Sequence, residues 1–176
     1  MKKRIPLIDI SIIGIAAALL IGVQVALSVI PNVELVTLLI ILYTIHLRSK
    51  AIYIIYIFVL VECLIYPFGL WCIVYLYIWI ILYFVAYIFK GSTSSIFFSI
   101  IGAIYGLFFG TLSSIPYFFT GGLAGGVAYI IAGLQFDILH CVGNFIVILT
   151  LFKPLNNSIV KLPYFNGSDL NRHKVY

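Results

Sequence analysis

Polar side chains recur on one face of the last apolar segment of the chain. Gly133, Asp137, His140 and Asn144 follow one another at the three- and four-residue spacing that brings side chains together on one side of a helix. Three hydrogen-bonding groups on one stripe of a membrane segment are typical of a ligand site or an internal network. Asp137 and His140 are also spaced to form a hydrogen-bonded pair, which could be a proton relay, a ligand clamp or a structural tie.

Two further acids lie at the edges of apolar segments. Glu34 follows the turn Pro31-Asn32, and Glu62 comes about one helical turn before the break at Pro67. An unpaired charge at the bilayer centre costs at least about 2.5 to 3.5 kcal/mol, so such acids usually face a cavity, a partner or water. For both residues the sequence leaves open a solvated acid or a position at a pocket.

An aromatic face accompanies the polar stripe. Trp71, Tyr75 and Trp79 follow one another every four residues. Trp71 also fits the aromatic belt of a membrane interface, whereas Trp79 lies too deep for that. An aromatic wall opposite polar groups suits a flat, ring-containing ligand. The predicted substrate-binding residues are Glu34, Glu62, Trp71, Tyr75, Asp137, His140 and Asn144.

The composition shows which elements must position these residues. Of the 176 residues, 64% are hydrophobic and 9% are charged, whereas a soluble domain is about half apolar and about a quarter charged. At about 20 apolar residues per crossing, the chain has room for six spans. The predicted fold is an all-α membrane protein with six transmembrane helices and both termini in the cytoplasm. No phosphate-binding loop is present, so we expect any ATP hydrolysis to be carried out by another chain.

Turn and breaker residues divide the chain into these spans. Spans two and three are short, so a re-entrant hairpin remains an alternative to two crossings. Span six follows a glycine-rich connection at 118–127, and its start is open, because Gly133 could end a short helix and Asp137 could cap a new one. Residues 1–155 would form the membrane domain, and 156–176 a mobile cytoplasmic tail. The predicted spans are 9–30, 33–47, 51–66, 70–89, 96–117 and a sixth that ends at Phe152.

The basic residues predict the orientation. With six crossings, all ten Lys and Arg residues lie on one side of the membrane. Because basic residues are enriched in cytoplasmic loops, this side is predicted to be the cytoplasmic one. A substrate arriving from outside would then meet Trp71, Tyr75 and Asp137 in the outer half, with His140 and Asn144 as the floor and Glu34 and Glu62 at the rim. The basic residues flank the spans without forming a patch, so nucleic-acid binding is not expected.

The first segment is predicted to be a retained span, because its apolar run is about 20 residues long and exceeds that of a signal peptide. The three cysteines form no C-x-x-C pair, and no metal site is expected. A disulfide between Cys63 and Cys72 is conceivable, although two apolar fillers are the favoured interpretation.

Small residues form a stripe on the first span, at Gly14, Ala18, Gly22 and Ala26. Small side chains let membrane helices approach closely. The stripe is therefore expected either to pack inside the bundle or to dock a separate membrane subunit.

Together these features resemble the substrate-binding membrane subunits (S components) of energy-coupling factor transporters. The resemblance covers about residues 8–155. It is carried by the small-residue stripe, the turn Pro31-Asn32-Val33-Glu34, six short spans, the stretch Phe136-Asp137-Ile138-Leu139-His140-Cys141-Val142-Gly143-Asn144-Phe145 and the closing Leu151-Phe152-Lys153-Pro154-Leu155.

The resemblance implies a subunit in the plasma membrane of a bacterium that captures a vitamin or vitamin precursor, with a ring-containing ligand favoured. The implied partners are a transmembrane coupling subunit and two cytoplasmic ATPases, and no cofactor is implied. A self-sufficient proton-coupled carrier using Asp137 and His140 is the alternative. An intramembrane enzyme with Ser113 or Ser114 as nucleophile and His140 as base is less favoured, because no G-x-S-x-G element surrounds either serine.

Overall fold

The computed structural model describes residues 6–28 and 34–166, and every element in these ranges is a helix. The all-α prediction is confirmed for this part of the chain. The predicted turn at Pro31-Asn32 lies outside the described residues. The helices are α1 (Leu7–Leu27), α2 (Val36–Leu47), α3 (Lys50–Ile65), α4 (Leu70–Ile88), α5 (Ser95–Leu107), α6 (Phe109–Ser113), α7 (Ile115–Val160) and α8 (Pro163–Asn166).

The outer surface of the bundle is apolar. Three helices, α1, α4 and α7, are long and apolar enough to cross a membrane. Large apolar side chains on them point outward, among them Ile15, Phe84 and Ile131. Exposed apolar side chains on helices of this length are typical of a membrane protein.

The core of the bundle is built around α2. Nine of its twelve residues are buried. The helix is apolar on all sides, which is the pattern of a helix surrounded by others. It packs against α1, α3, α4, α5 and α7. Glu34 lies just before this central helix and Thr37 in its first turn. Both residues are therefore near the middle of the bundle's cross-section.

A polar cluster joins several helices at one end of the bundle. Lys50 Nζ lies 2.8 Å from Asp9 Oδ1 and donates to the Tyr164 hydroxyl at 2.7 Å. That hydroxyl in turn donates to Asp9 Oδ1 at 2.7 Å, and burial raises the pKa of Tyr164, which keeps the proton in place. His46 Nε2 lies 2.8 Å from Asn156 Oδ1. The starts of α1 and α3, the end of α2 and the end of α7 therefore meet here.

The described basic residues lie toward this same end, which we call the basic end. One lies in the tight turn between α2 and α3, one begins α3, one follows α4, and two lie in or just after the last part of α7. The distribution agrees with the clustering expected from the sequence. These residues are Arg48, Lys50, Lys90, Lys153 and Lys161.

The glycine-rich connection predicted at 118–127 is mostly helical. The only break is at Gly122, whose φ of 62° and ψ of −164° suit glycine and interrupt α7. Beyond it the helix runs without a break through Gly133 and Asp137. The alternative in which Asp137 caps a new helix is wrong, because residues 123–136 contain no proline or strong polar breaker.

The helix that contains the predicted end of span six at Phe152 continues to Val160, through Pro154. A proline inside a helix removes one backbone hydrogen bond. Here buried Phe152 and the Asn156–His46 contact hold the helix on both sides of that position. The predicted tail therefore begins inside α7, and α8 packs back onto the bundle through Tyr164 and the contact of Phe165 with His46. Residues 167–176 of the predicted tail lie outside the described residues.

Candidate functional site: a polar and aromatic cavity

A cavity of about 800 Å³ opens at the end of the bundle opposite the basic end. Its walls are formed by the ends of α1 and α3, by Glu34 two residues before α2, by the first half of α4, by α6 and by the middle of α7. Six of the seven predicted substrate-binding residues line it, namely Glu34, Glu62, Trp71, Tyr75, Asp137 and His140.

Glu34 connects the start of α2 with the polar stripe of α7. Its Oε1 lies 3.1 Å from His140 Nε2, and its Oε2 accepts a hydrogen bond of 2.9 Å from the backbone N–H of Thr37. The Thr37 hydroxyl donates to the same carboxylate. A carboxylate at this position satisfies one of the free N–H groups in the first turn of a helix. The acid is therefore held in a fixed orientation at the cavity wall.

Asn144 is the predicted site residue that does not line the cavity. It is buried next to α2 and α5, where its Nδ2 lies 3.4 Å from Thr37 Oγ1 and 3.4 Å from the carbonyl oxygen of Gly102. His140, Glu34, Thr37 and Asn144 thus form one chain of polar contacts. Asn144 extends that chain away from the cavity and into the core.

Asp137 has a different partner. Its Oδ1 accepts a hydrogen bond of 2.8 Å from the backbone N–H of Gly110, at the start of α6. The expected Asp137–His140 pair is replaced by two separate contacts, because Glu34 approaches His140 and Gly110 approaches Asp137. The two side chains point to neighbouring helices from one face of α7.

Three glycines at four-residue spacing let α5 and α6 approach α7 closely. A Cβ on Gly106 would lie 2.8 Å from the backbone of His140, and one on Gly110 would lie 2.5 Å from Asp137 Oδ2. On Gly102 it would meet the side chain of Ile148 at 2.2 Å. Our sequence analysis missed this second small-residue stripe. The same G-x-x-x-G spacing that drew attention to α1 would have found it.

The aromatic wall consists of rings packed edge to face along α4. Ring centroids are 5.3 Å apart for Trp71 and Tyr75 and 5.4 Å apart for Tyr75 and Trp79. Trp79 also contacts Phe109 of α6 at 5.8 Å. The Trp71 indole donates to the carbonyl of Pro67 at 2.9 Å, and this hydrogen bond fixes the orientation of the first ring of the wall. All four rings line the cavity.

Three buried polar atoms of the lining have no hydrogen-bond partner among the described residues. They are Glu62 Oε1, Trp79 Nε1 and Ser113 Oγ. Each of these residues is at most 3% exposed. Most buried polar side-chain atoms in proteins are hydrogen-bonded. These three atoms are therefore candidates for hydrogen bonds to a bound molecule.

Several lining residues were not selected from the sequence. Gln24 lies in the last turn of α1, and Ser28 and Tyr66 directly follow α1 and α3. Tyr129 and Phe136 lie on α7, eight residues and one residue before Asp137. Trp79 was weighed as part of the aromatic face, and Ser113 only as a possible nucleophile. Since their neighbours come from other helices, no local spacing pattern identifies them.

The small-residue stripe of α1 faces outward. Gly14, Ala18, Gly22 and Ala26 are all exposed, and a Cβ on either glycine would meet no atom within 4 Å. The interpretation in which the stripe packs inside the bundle is wrong. The opposite face of α1 does that instead, through Ile13, Ala16, Ala17 and Leu20.

The cysteines Cys63, Cys72 and Cys141 are free thiols, so the disulfide considered for the first two is not formed. In the described residues no group of three or more His, Cys, Asp or Glu side chains is placed to hold a metal ion. Comparison of the chain with protein-family models, curated proteins and solved structures gave no match.

Proposed function

We propose that the protein is the substrate-capturing subunit of an ATP-driven importer of the energy-coupling factor type. Its substrate would be a vitamin or vitamin precursor with a ring. The observation that carries the proposal is the cavity, in which six predicted polar and aromatic side chains come together. Its volume of about 800 Å³ is within the range of small-molecule sites.

The two ends of the bundle support an orientation. The positive-inside rule places the basic end in the cytoplasm, and the cavity then opens to the outside. This orientation is part of the proposal, together with six crossings, two cytoplasmic termini and the plasma membrane of a bacterium. A substrate would enter the cavity from outside without crossing the hydrocarbon.

The exposed stripe on α1 supports a partner in the membrane. Four small residues leave a shallow groove on an otherwise bulky apolar surface, and helices associate closely at such grooves. We assign this groove to a transmembrane coupling subunit, which would join the protein to two cytoplasmic ATPases. The chain itself would carry out no catalysis.

Copurification tests the proposal. The full chain, extracted with mild detergent from cells that express it at native level, is expected to bring down one membrane protein and an ATPase pair. Gly22→Trp adds bulk to the stripe and should abolish this association. Ile104→Trp is the matched control, because Ile104 is an exposed residue of α5 on another face of the bundle.

Full association of Gly22→Trp would contradict the docking assignment. If the purified chain alone carried substrate into liposomes along a pH gradient, without ATP or other proteins, the alternative of a proton-coupled carrier would replace the proposal.

A further inference from the structure

The electrostatics of the cavity select the charge of its ligand. The described lining carries three acidic side chains against one imidazole, and it contains no Lys or Arg. These residues are Glu34, Glu62, Asp137 and His140. An anionic ligand would meet repulsion here and would find no basic side chain to pair with.

The three acids are not equivalent. Glu34 is paired with His140 and with Thr37, and Asp137 accepts from the N–H of Gly110. Glu62 is 2% exposed, and its Oε1 has no partner in the described protein. A buried carboxylate oxygen without a hydrogen-bond donor is unfavourable, so a donor supplied by the ligand would have its largest effect there.

The surroundings of Glu62 favour an organic cation over a metal ion. No three ligating side chains in the described residues converge as a metal site requires. The aromatic wall of Trp71, Tyr75 and Trp79 lines the same cavity. Ring faces attract cations, most strongly when water is excluded, and they also stack on flat ligands.

We propose that the ligand is a flat ring compound with one positive charge and N–H donors, and that Glu62 is its counter-ion. The inference rests on the proposed function, because it specifies the substrate of the same cavity. The Trp79 indole can only donate, so the ligand also carries an acceptor for Trp79 Nε1. Ser113 Oγ can take either role.

Three compounds of nearly identical shape test the charge. Naphthamidine, naphthamide and naphthoate share one ring system and substitution pattern and carry a positive, zero and negative charge. Their affinities for the full chain in nanodiscs can be measured from the quenching of tryptophan fluorescence. We expect naphthamidine to bind at least about tenfold more tightly than naphthamide, and naphthoate to bind most weakly, since a hydrogen bond between two charged groups is stronger than one to a neutral group.

Glu62→Gln is the decisive variant, because it removes the charge and preserves the shape. Glu62→Gln should lower the affinity for naphthamidine by about tenfold. It should leave the affinity for naphthamide within about twofold of wild type, which also shows that the cavity is intact. Equal or tighter binding of naphthamide or naphthoate to wild type would overturn the charge assignment and leave the binding function standing. If Glu62→Gln lowered the affinities for naphthamidine and naphthamide equally, the role of Glu62 as counter-ion would be overturned. If none of the three binds wild type, both the inference and the cavity as a ligand site fail.

Discussion

His140 Nε2 lies 3.1 Å from Glu34 Oε1, which joins the middle of the longest helix to the residues that begin the central one. The contact spans 106 positions of sequence. It closes one wall of the cavity and continues through Thr37 to Asn144 in the core. The cavity wall and the packing of α2 are therefore one connected structure.

This contact predicts an energetic coupling between Glu34 and His140. Glu34→Gln and His140→Gln should each lower the free energy of unfolding. The double variant should be less destabilised than the sum of the two, with a coupling of about 1–2 kcal/mol. Chemical denaturation in detergent micelles measures each value. Additive effects within about 0.5 kcal/mol would show that the pair contributes nothing.

Gly106 is predicted to be essential for the packing of α5 on α7. Gly106→Ala places a Cβ 2.8 Å from the backbone of His140, so the helices must separate. We expect a loss of stability of about 1–3 kcal/mol. Gly14→Ala is the control, because a Cβ there meets no atom, and alanine favours a helix by about 1 kcal/mol over glycine. Thermal denaturation of the isolated subunit compares the two, and equal stability would contradict the close approach.

The unpartnered hydroxyl of Ser113 should matter for binding and not for folding. Ser113→Ala removes a buried hydroxyl that has no hydrogen bond within the described part of the chain, so stability should stay within about 0.5 kcal/mol. Affinity for the natural ligand should fall about three- to tenfold. Ser114→Ala is the matched control: its hydroxyl donates to the carbonyl of Thr111 at 2.7 Å, and it does not line the cavity. Unchanged affinity in Ser113→Ala would remove this residue from the site.

Lys50 is predicted to stabilise the basic end. Lys50→Met leaves the buried Asp9 without its ammonium partner at 2.8 Å, and we expect a loss of about 2 kcal/mol. Lys90→Met is the control, since Lys90 Nζ rests over the ring of Tyr87, a cation–π contact whose loss leaves no buried charge behind. Differential scanning fluorimetry can rank the two variants. Similar melting temperatures would mean that the Asp9–Lys50–Tyr164 cluster does not hold the helices together.

The sequence predicted much of the fold because apolar segments and their breakers are local signals. Breaks after Leu47, Ile65 and Ile88 lie close to the predicted ones. The continuation of α7 beyond Phe152 was not predicted, because a proline such as Pro154 usually marks the end of a helix. The contacts of Asn156 and Tyr164 with other helices, which hold this part of the chain, are known only from the structure.

The candidate site was predictable where it follows one helix face, as on α4 and α7. Its connections were not. His140 and Asp137 bind Glu34 and Gly110, which are distant in sequence, and no spacing rule chooses among such partners. That Glu62 Oε1 has no hydrogen-bond partner among the described residues is likewise visible only after folding.

The most direct test of the cavity as the ligand site is to fill it with a large side chain. Gly133 lines it, and a Cβ there meets no atom, so Gly133→Trp can occupy the space without a clash at the backbone. Small molecules released from the purified chain are measured by mass spectrometry for wild type, Gly133→Trp and the stripe variant Gly22→Trp. The account predicts that one ring-containing compound copurifies with wild type and Gly22→Trp and is absent from Gly133→Trp, which still associates with the membrane partner. The same amount of that compound on a folded Gly133→Trp would contradict it.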